Sequence, residues 1–385
     1  MDMTLISSWL GLGLTGLAIC GSIYALLASI LVGRFMRAGH SKPAQYAPVT
    51  ILKPLYQGEP GLSENLESFF AQDYPGRIQI LFGVHHESDP ALDVVKALQA
   101  RYPQVDTAIV ADSALYGSNA KVSNLINMFP AARHDILVLS DSDIAVPRDW
   151  LLKVTGALDQ PGVGLVTCLY TGEVTGGDTN MWSRLSAMGT SYDFLPNVVL
   201  GTSFGLAEPC MGSTIALSRA MLDEIGGFAA FANYLADDYE IGQAVRAKGY
   251  ATAIPALGVG HTATEGSAME LFRHELRWTR TIRTVNPLGH LGTIVTFALP
   301  LALMAAVLLD FSAMSWGVLG LALGARLFLK YRIDGIFGTY AGPAWLLPMR
   351  DLLSFGVFVT SLFGETVHWR GARLSIEPSG VLSQS

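Results

Sequence analysis

The acidic residues with the most chemical promise stand in two short groups. Asp141-Ser142-Asp143 follows an almost wholly apolar run, Asp135 to Ser140. Two carboxylates two residues apart at such a point can reach one hard divalent cation and the phosphate oxygens it holds; a solvated turn or a cap is the plain alternative. Ala236-Asp237-Asp238-Tyr239-Glu240 precedes a stretch of helical character, Ile241 to Lys248. A carboxylate there can be the general base that accepts the proton of an attacking hydroxyl, or can cap the helix and complement its dipole. A third group, His274-Glu275-Leu276-Arg277-Trp278, is flanked by Arg273, Arg280 and Arg283. Zinc-protease chemistry is excluded, because H-E-x-x-H needs a second His where Trp278 stands. A basic juxtamembrane helix that binds lipid head groups is the other reading of this group.

The elements that must position these groups follow from periodicity. Val49 to Lys53 reads as a strand, and Leu62, Leu66, Phe69 and Phe70 recur at helical spacing until Gln72-Asp73-Tyr74-Pro75-Gly76 ends the helix. Ile78 to Val84 is a second strand. Pro90 to Tyr102 is a second helix, with Asp89 as N-cap and Pro90 at its first position. Thr107 to Val110 is a third strand, Lys121 to Met128 is compatible with a helix, and Asp135 to Ser140 resembles a strand buried on both faces. This alternation predicts an α/β body with a parallel sheet, whose ligands bind at the carboxyl ends of the strands.

Of the 385 residues, 50% are hydrophobic and only 15% charged, against about 25% charged in ordinary soluble domains, which excludes disorder. The net charge is −7, and the absence of a dense Lys/Arg cluster argues against a nucleic-acid partner. Met3 to Gly33 holds no charged residue and exceeds the roughly 20 residues that span a bilayer core. Arg34, Arg37 and Lys42 follow at once, placing the next segment in the cytoplasm by the positive-inside rule. Gly292 to Leu309 and Phe311 to Ala325 read as a membrane hairpin turning at Asp310, with Arg326, Lys330 and Arg332 after it on the cytoplasmic side. Ala344 to Phe363 is apolar but carries Arg350 and Asp351, so it starts later, faces partner helices or lies in the interface. Pro196 to Leu217 is read either as an interfacial segment or as core. The expected organisation is an anchor over 1–40, a catalytic body over 48–287, membrane segments over 288–366 and a tail over 367–385. Gly11 to Gly16 spells G-x-G-x-x-G inside the anchor, where neither a preceding strand nor a wet helix start is available, so it is a coincidence. Cys20, Cys168 and Cys210 lack the close pairing of a zinc or redox site.

Lys53-Pro54-Leu55, Asn65-Leu66-Glu67-Ser68-Phe69-Phe70 with Gln72-Asp73-Tyr74-Pro75, Asp89-Pro90-Ala91, Gly117 to Lys121 with Asn124-Leu125, Asp141-Ser142-Asp143, Ala236-Asp237-Asp238-Tyr239 and Arg277-Trp278 occur in a characteristic order and spacing. That pattern resembles the ceramide glucosyltransferases and their bacterial relatives, from the anchor to Trp369-Arg370. Within the group, Lys121 to Met128, Gly164 to Tyr170 and His274 to Arg283 are most similar to the bacterial hopanoid-biosynthesis glycosyltransferases. Many processive relatives carry Gln at the start of Q-x-x-R-W and animal ceramide enzymes carry Arg; here it is His274.

The resemblance implies a GT-A, Rossmann-like fold and an inverting hexosyltransferase of the bacterial inner membrane, its catalytic domain facing the cytoplasm. It implies transfer from a UDP-sugar, N-acetylglucosamine being expected, to the hydroxyl of a lipid alcohol such as the hopanoid polyol bacteriohopanetetrol. Asp89 would sit near the uracil and ribose, with Lys53 and Lys121 near the nucleotide. Asp141 and Asp143 would hold Mg²⁺ or Mn²⁺ on the diphosphate. Asp238 is the expected base, with Asp237 its close rival. Arg277 would neutralise the diphosphate and Trp278 wall the sugar or acceptor pocket. Ceramide glucosylation from UDP-glucose, processive polysaccharide synthesis and a non-catalytic lipid-binding scaffold are the competing functions.

Overall fold

The computed structural model describes residues 3–39, 41–174, 180–364, 366–369, 372–376 and 382–384. The expected tail over 367–385 and Arg370 therefore lie partly or wholly outside the described residues. Helix α1 (Met3–Met36) has 34 residues, about 51 Å at 1.5 Å per residue, enough to cross a hydrocarbon core of about 30 Å and project beyond it. Gly11 to Gly16 lies within this helix, with no strand before it.

Strand and helix then alternate: β1 (Val49–Pro54), α2 (Leu62–Phe70), β2 (Ile78–Val84), α3 (Ala91–Arg101), β3 (Asp106–Ala111), α4 (Ala120–Met128) and β4 (Ile136–Leu139). The chain continues through β5 (Ile144–Ala145), α5 (Trp150–Leu158), β6 (Val163–Thr167), β7 (Leu169–Glu173), α6 (Met181–Gly189), a π-helical turn (Thr190–Phe194) and α7 (Leu195–Ser203). After β8 (Ile215–Ser218), α8 (Arg219–Glu224), α9 (Asp237–Ala247), β9 (Ala251–Ala253) and β10 (Gly258–Thr262) comes the amphipathic α10 (Ala268–Val285).

The main sheet has the order β3-β2-β1-β4-β8-β6-β9. It is mixed rather than parallel, because β8 runs antiparallel to both β4 and β6. The reason lies in the preceding segment: the backbone at Gly212 is already beside Asp141, at the carboxyl end of β4. A strand that starts there can only run back toward the other end. Both sheet faces are covered. Ile51 and Val138 pack with Phe69, Val95 and Trp150 on one side, while Leu52, Leu137 and Leu139 pack with Val122, Leu125 and Ile241 on the other. Two-sided burial accounts for the uninterrupted apolar run of β4. A small sheet, β5-β10-β7, lies beyond the end of β4.

The remaining helices are α11 (Pro287–Gly292), α12 (Ala298–Leu308), α13 (Ala313–Phe337) and α14 (Leu347–Ser361). Among the described residues two helices, Leu5–Met36 and Ala313–Phe337, are long and apolar enough to cross a membrane. The pair Pro287–Thr296 and Ala298–Leu308, bent by 63°, would make a third if it is one broken span. Gly11 of α1 faces Leu308 and Leu309, Gly21 faces Ala298 and Gly33 faces Arg332. Helix α12 thus runs against α1 and α13 runs with it, so the hairpin returns to the end where α1 finishes.

One expectation changes and two open readings are decided. Of Arg326, Lys330 and Arg332, the first two are buried in ion pairs and only Arg332 is exposed. Arg350 and Asp351 are buried against partner helices rather than lying in the interface. Pro196 to Leu217 divides in two: Leu195, Val198 and Val199 pack with Ala25, Ala28 and Val32 of α1, while Ile215 to Leu217 are central-sheet core.

Candidate active site

The chain passes from β1 outward to β2 and β3, then returns to place β4 on the other flank of β1. A crevice opens at such a switch point, at the carboxyl ends of the strands, and Lys53 and Asp141 stand on its two sides. Lys53 is fully buried, donates to the Asp141 carbonyl and lies 3.9 Å over the Phe69 ring. Burial lowers its ammonium to about 7 although Asp141 and Asp143 pull the other way. Helix α4 starts with Asn119, whose side chain caps the Val122 N–H at 3.2 Å. That cap sets Lys121 in the first turn, 2.6 Å from Asp141 and 3.7 Å from Asp237.

Asp237 and Asp238 are in the first turn of α9, four residues earlier than the helix start expected at Ile241. Their position beside unsatisfied N–H groups accounts for the local sequence, and their side chains do more than cap. Asp237 is buried and accepts from Asn119 at 3.1 Å. Asp238 accepts from the Gly212 N–H at 2.9 Å and from its neighbour's N–H, Tyr239, at 2.8 Å. A Cβ at Gly212 would lie 2.9 Å from Asp141 Oδ2, 3.3 Å from Lys121 Nζ and 3.4 Å from Asp238 Oδ2. Gly212 is thus the backbone point around which the two acidic groups meet. Burial, and then the Asp237 charge, push Asp238 up to about 6. Burial also raises the Asp141 carboxyl, with Lys121 offsetting part of the effect. For Lys121 itself burial is unfavourable to the charge, but Asp141, Asp237 and Asp238 outweigh it and hold the ammonium well above the ordinary lysine value.

Asp143 faces β10. His261 Nε2 is 3.3 Å from Asp143 Oδ2, and the Thr262 N–H donates to the Asp143 carbonyl at 2.8 Å. Burial disfavours the Asp143 charge, yet His261 overrides it and brings the carboxyl down to about 2. The His261 ring is 5.5 Å from that of Trp278, which meets His274 at 4.6 Å; His274 in turn pairs with the buried Glu265. Arg277, half-buried, precedes Trp278 on α10. Asp89 receives the Ala91 N–H at 2.9 Å and the Gln57 N–H at 3.1 Å. It therefore accepts from the first residue of α3, whose cap position falls on Pro90, one residue later than expected, and it also ties down the loop after β1, whose Glu59 accepts from Ser142 at 2.7 Å. Arg280 and Arg283 are not free for lipid head groups. They donate to the carbonyls of Ser361, Phe363, Gly364 and Thr366, closing the end of α14.

Among the described residues no three His, Cys, Asp or Glu side chains form an all-protein metal cage. Asp141 and Asp143 nonetheless fit a hard cation shared with a ligand's phosphates, the usual arrangement for Mg²⁺, since Asp143 Oδ1 is buried without a hydrogen-bond partner. Gly212, His261 and Glu265 were not singled out from the sequence, and Asn119 entered only as part of the Gly117 to Lys121 motif. A glycine inside an apolar stretch and a histidine inside a short strand carry no signal until tertiary contacts supply one.

A mixed sheet flanked by helices, acidic groups at its switch point and membrane helices at both ends define a GT-A-like glycosyltransferase. The fold is shared with a solved mannosyltransferase from Pyrobaculum calidifontis, in complex with GDP-Man and Mn²⁺. It matches with a TM-score of 0.55 and 19% identity, over 91% of this chain and 99% of that one. The chain belongs to glycosyl transferase family 21, whose model matches residues 13–382. Similar proteins include ceramide glucosyltransferase 3 of Caenorhabditis elegans, 28% identical over 354 residues, which are 84% of this chain and 71% of that protein. Ceramide glucosyltransferase 1 of the same organism is 26% identical over 364 residues, 88% of this chain and 73% of that one. The protein is a sugar-transferring enzyme.

Proposed function

We propose that the enzyme transfers one sugar, N-acetylglucosamine, from a UDP-sugar to the hydroxyl of a hopanoid polyol such as bacteriohopanetetrol, with inversion at the anomeric carbon. The observation that carries the transfer is the meeting of Asp141, Lys121, Asp237 and Asp238 around Gly212, in a chain whose membrane helices pack on the same body. The hopanoid and the sugar rest on the sequence resemblance. The ceramide glucosyltransferases among its relatives support a second reading, UDP-glucose as donor and ceramide as acceptor. Either acceptor is a lipid alcohol, whose withdrawal from the bilayer costs about 0.8 kcal/mol per buried CH₂. A catalytic body (48–287) held between an anchor (1–40) and later membrane segments (288–366) meets it in place. Arg34 in the last turn of α1 and Arg37 and Lys42 just after it support a cytoplasmic catalytic face, in a bacterial inner membrane.

In this reading Asp238 takes the proton of the acceptor hydroxyl as its oxygen attacks C1. Its two carboxylate oxygens are oriented by separate backbone N–H groups, and a carboxyl at about 6 is mostly ionised near neutrality yet basic enough to act. Asp237, bound to Asn119 and beside Lys121, holds that end of α9 in place. Lys121 and Arg277 stabilise charge on the leaving UDP, Asp89 and Lys53 take the nucleoside side, and Trp278 walls the sugar. A Mg²⁺ or Mn²⁺ ion on Asp141 and Asp143, when bound, would offset charge on the diphosphate.

The test offers the purified full-length chain hopanoid polyols and ceramides, each with UDP-glucose or UDP-N-acetylglucosamine, and identifies products by mass spectrometry. A glycosylated hopanoid is expected. A sugar-bearing ceramide with no hopanoid product overturns the assignment in favour of the second reading.

A further inference from the structure

Two buried arginines meet one buried and two half-buried carboxylates where the membrane helices meet the catalytic body. Arg326 of α13 donates to Asp351 of α14 at 2.6 Å and to Asp193 of the π-helical turn at 2.6 Å. Arg350 of α14 reaches Asp193 at 3.1 Å and the Leu185 carbonyl of α6 at 3.1 Å, and its two terminal nitrogens grip Glu275 of α10. Ser354 adds a bond to Asp193 at 2.8 Å. Both arginines and Asp351 are no more than 5% exposed. Charges at this depth are expensive in lipid and are retained for a task.

The backbone is shaped around this cluster. Pro196 has no N–H, so the Tyr192 carbonyl four residues earlier lacks its α-helical donor; it accepts from Arg326 at 2.8 Å. The preceding turn closes by a wider bond, from the Leu195 N–H to the Thr190 carbonyl. Single π-turns of this kind recur at functional sites, and this one sets Asp193 between the two guanidinium groups. Gly189 leaves room for Arg350: a Cβ there would stand 2.6 Å from the guanidinium carbon and 2.7 Å from one of its nitrogens.

We propose that Arg350, anchored by Asp193, holds Glu275 and thereby fixes the rotation of α10 against the sheet, making Arg350, Asp193 and Glu275 positioning residues for the transfer. Glu275 is adjacent to His274 and two and three residues before Arg277 and Trp278, and the Trp278 ring leads through His261 to Asp143. Bidentate guanidinium–carboxylate pairing fixes orientation as well as distance, and a displacement of about 1 Å in a reacting group can cost on the order of 100-fold in rate. The membrane helices would then complete the donor site and do more than anchor it. The inference rests on the reading that Arg277 and Trp278 act on the donor.

Two variants perturb the device by independent means: Glu275→Gln removes the charge, and Gly189→Ala pushes on Arg350 without altering any charge. Gly13→Ala, in open space on α1, is the control. Each is made in the full chain, in nanodiscs, with kcat and both KM values expressed per folded molecule after size-exclusion. Helix position is read separately from the distance distribution between spin labels at Arg273→Cys and Lys96→Cys, in a Cys20→Ser background. Both variants are expected to lower kcat by about 10- to 100-fold, leave the acceptor KM within about threefold and broaden the label distances, while Gly13→Ala does none of these. A kcat within threefold of the parent, or a lowered kcat with unchanged label distances, overturns the proposal. If the parent enzyme transfers no sugar to any lipid, the functional reading fails. The label distances then still decide whether this network sets α10, and an unbroadened distribution in both variants overturns it.

Discussion

Replacing Asp238 by Asn removes one charge from the meeting point of the two acidic groups while keeping the side chain's shape. In the parent enzyme the two carboxylate oxygens accept separate bonds, from Gly212 at 2.9 Å and Tyr239 at 2.8 Å. An amide keeps one of these and turns its own N–H₂ toward the other donor, a local cost of about 1–3 kcal/mol. Relief of the buried Asp237–Asp238 repulsion offsets that cost, so the variant should fold. Loss of a general base typically costs about 10²–10⁴ in kcat, or roughly 2.7–5.4 kcal/mol at about 1.36 kcal/mol per tenfold. The assay is UDP release at saturating donor and lipid, paired with calorimetric titration of UDP, whose affinity should stay within about threefold. The pH profile gives a second reading. A base must be deprotonated, so parent kcat/KM should rise with pH and level off above about 6, a limb the Asn variant lacks. Linkage adds a third. A folded carboxyl raised above its unfolded value stabilises the fold at low pH, and that contribution is lost as pH rises from about 4 to about 6. Over that window the parent's thermal midpoint should fall relative to the variant's. A kcat within tenfold of the parent, or an acid limb that survives the substitution, would refute the assignment of Asp238 as base.

Asp141→Ala should weaken metal-dependent UDP binding and shift the Mn²⁺ titration to higher concentration; an unchanged titration contradicts its role at the cation. Gly212→Ala places a methyl 2.9 Å from the Asp141 carboxylate, and kcat should drop about 10- to 100-fold in protein with a parental melting curve. Full activity in that variant would show that Asp141 and Asp238 need not be held in this register. Trp150→Ala empties a fully buried site that packs edge-on against Phe69 at 5.2 Å, at a cost of about 3–5 kcal/mol. Thermal unfolding in detergent should reveal a midpoint several degrees lower, and a shift under one degree would mean that this layer of the sheet carries little of the stability.

The parts of the site legible in the chain were those that local physics dictates. Asp141 could be placed because β4 is buried on both faces and must end where its apolar run ends. Asp89 could be placed because a carboxylate followed by Pro starts a helix, and it does accept the Ala91 N–H. The reversed direction of β8 was not legible, since Ile-Ala-Leu-Ser pairs equally well either way round and only the starting point of the loop at Gly212 decides it. Nor were Gly212, His261 and Glu265, each of which gains its meaning from residues between 9 and 118 positions away. Arg280 and Arg283 looked available to lipid because a helical stripe of arginines has that composition. The carbonyls they bind belong to the end of another helix and the segment after it, 78 to 86 residues downstream.

From the residues alone came the order of anchor, α/β body and membrane segments, the two acidic groups and the Arg277-Trp278 pair, because hydropathy and short-range spacing are properties of contiguous chain. Only the folded molecule decided that the two acidic groups face each other across a glycine, that Lys121 lies between them, and that Arg350 and Asp351, costly in an apolar helix, answer to Asp193, Arg326 and Glu275. These are pairings across 25 to 157 residues. They depend on which way a strand runs and how a π-turn rotates one side chain, and neither leaves a periodicity for the sequence to display.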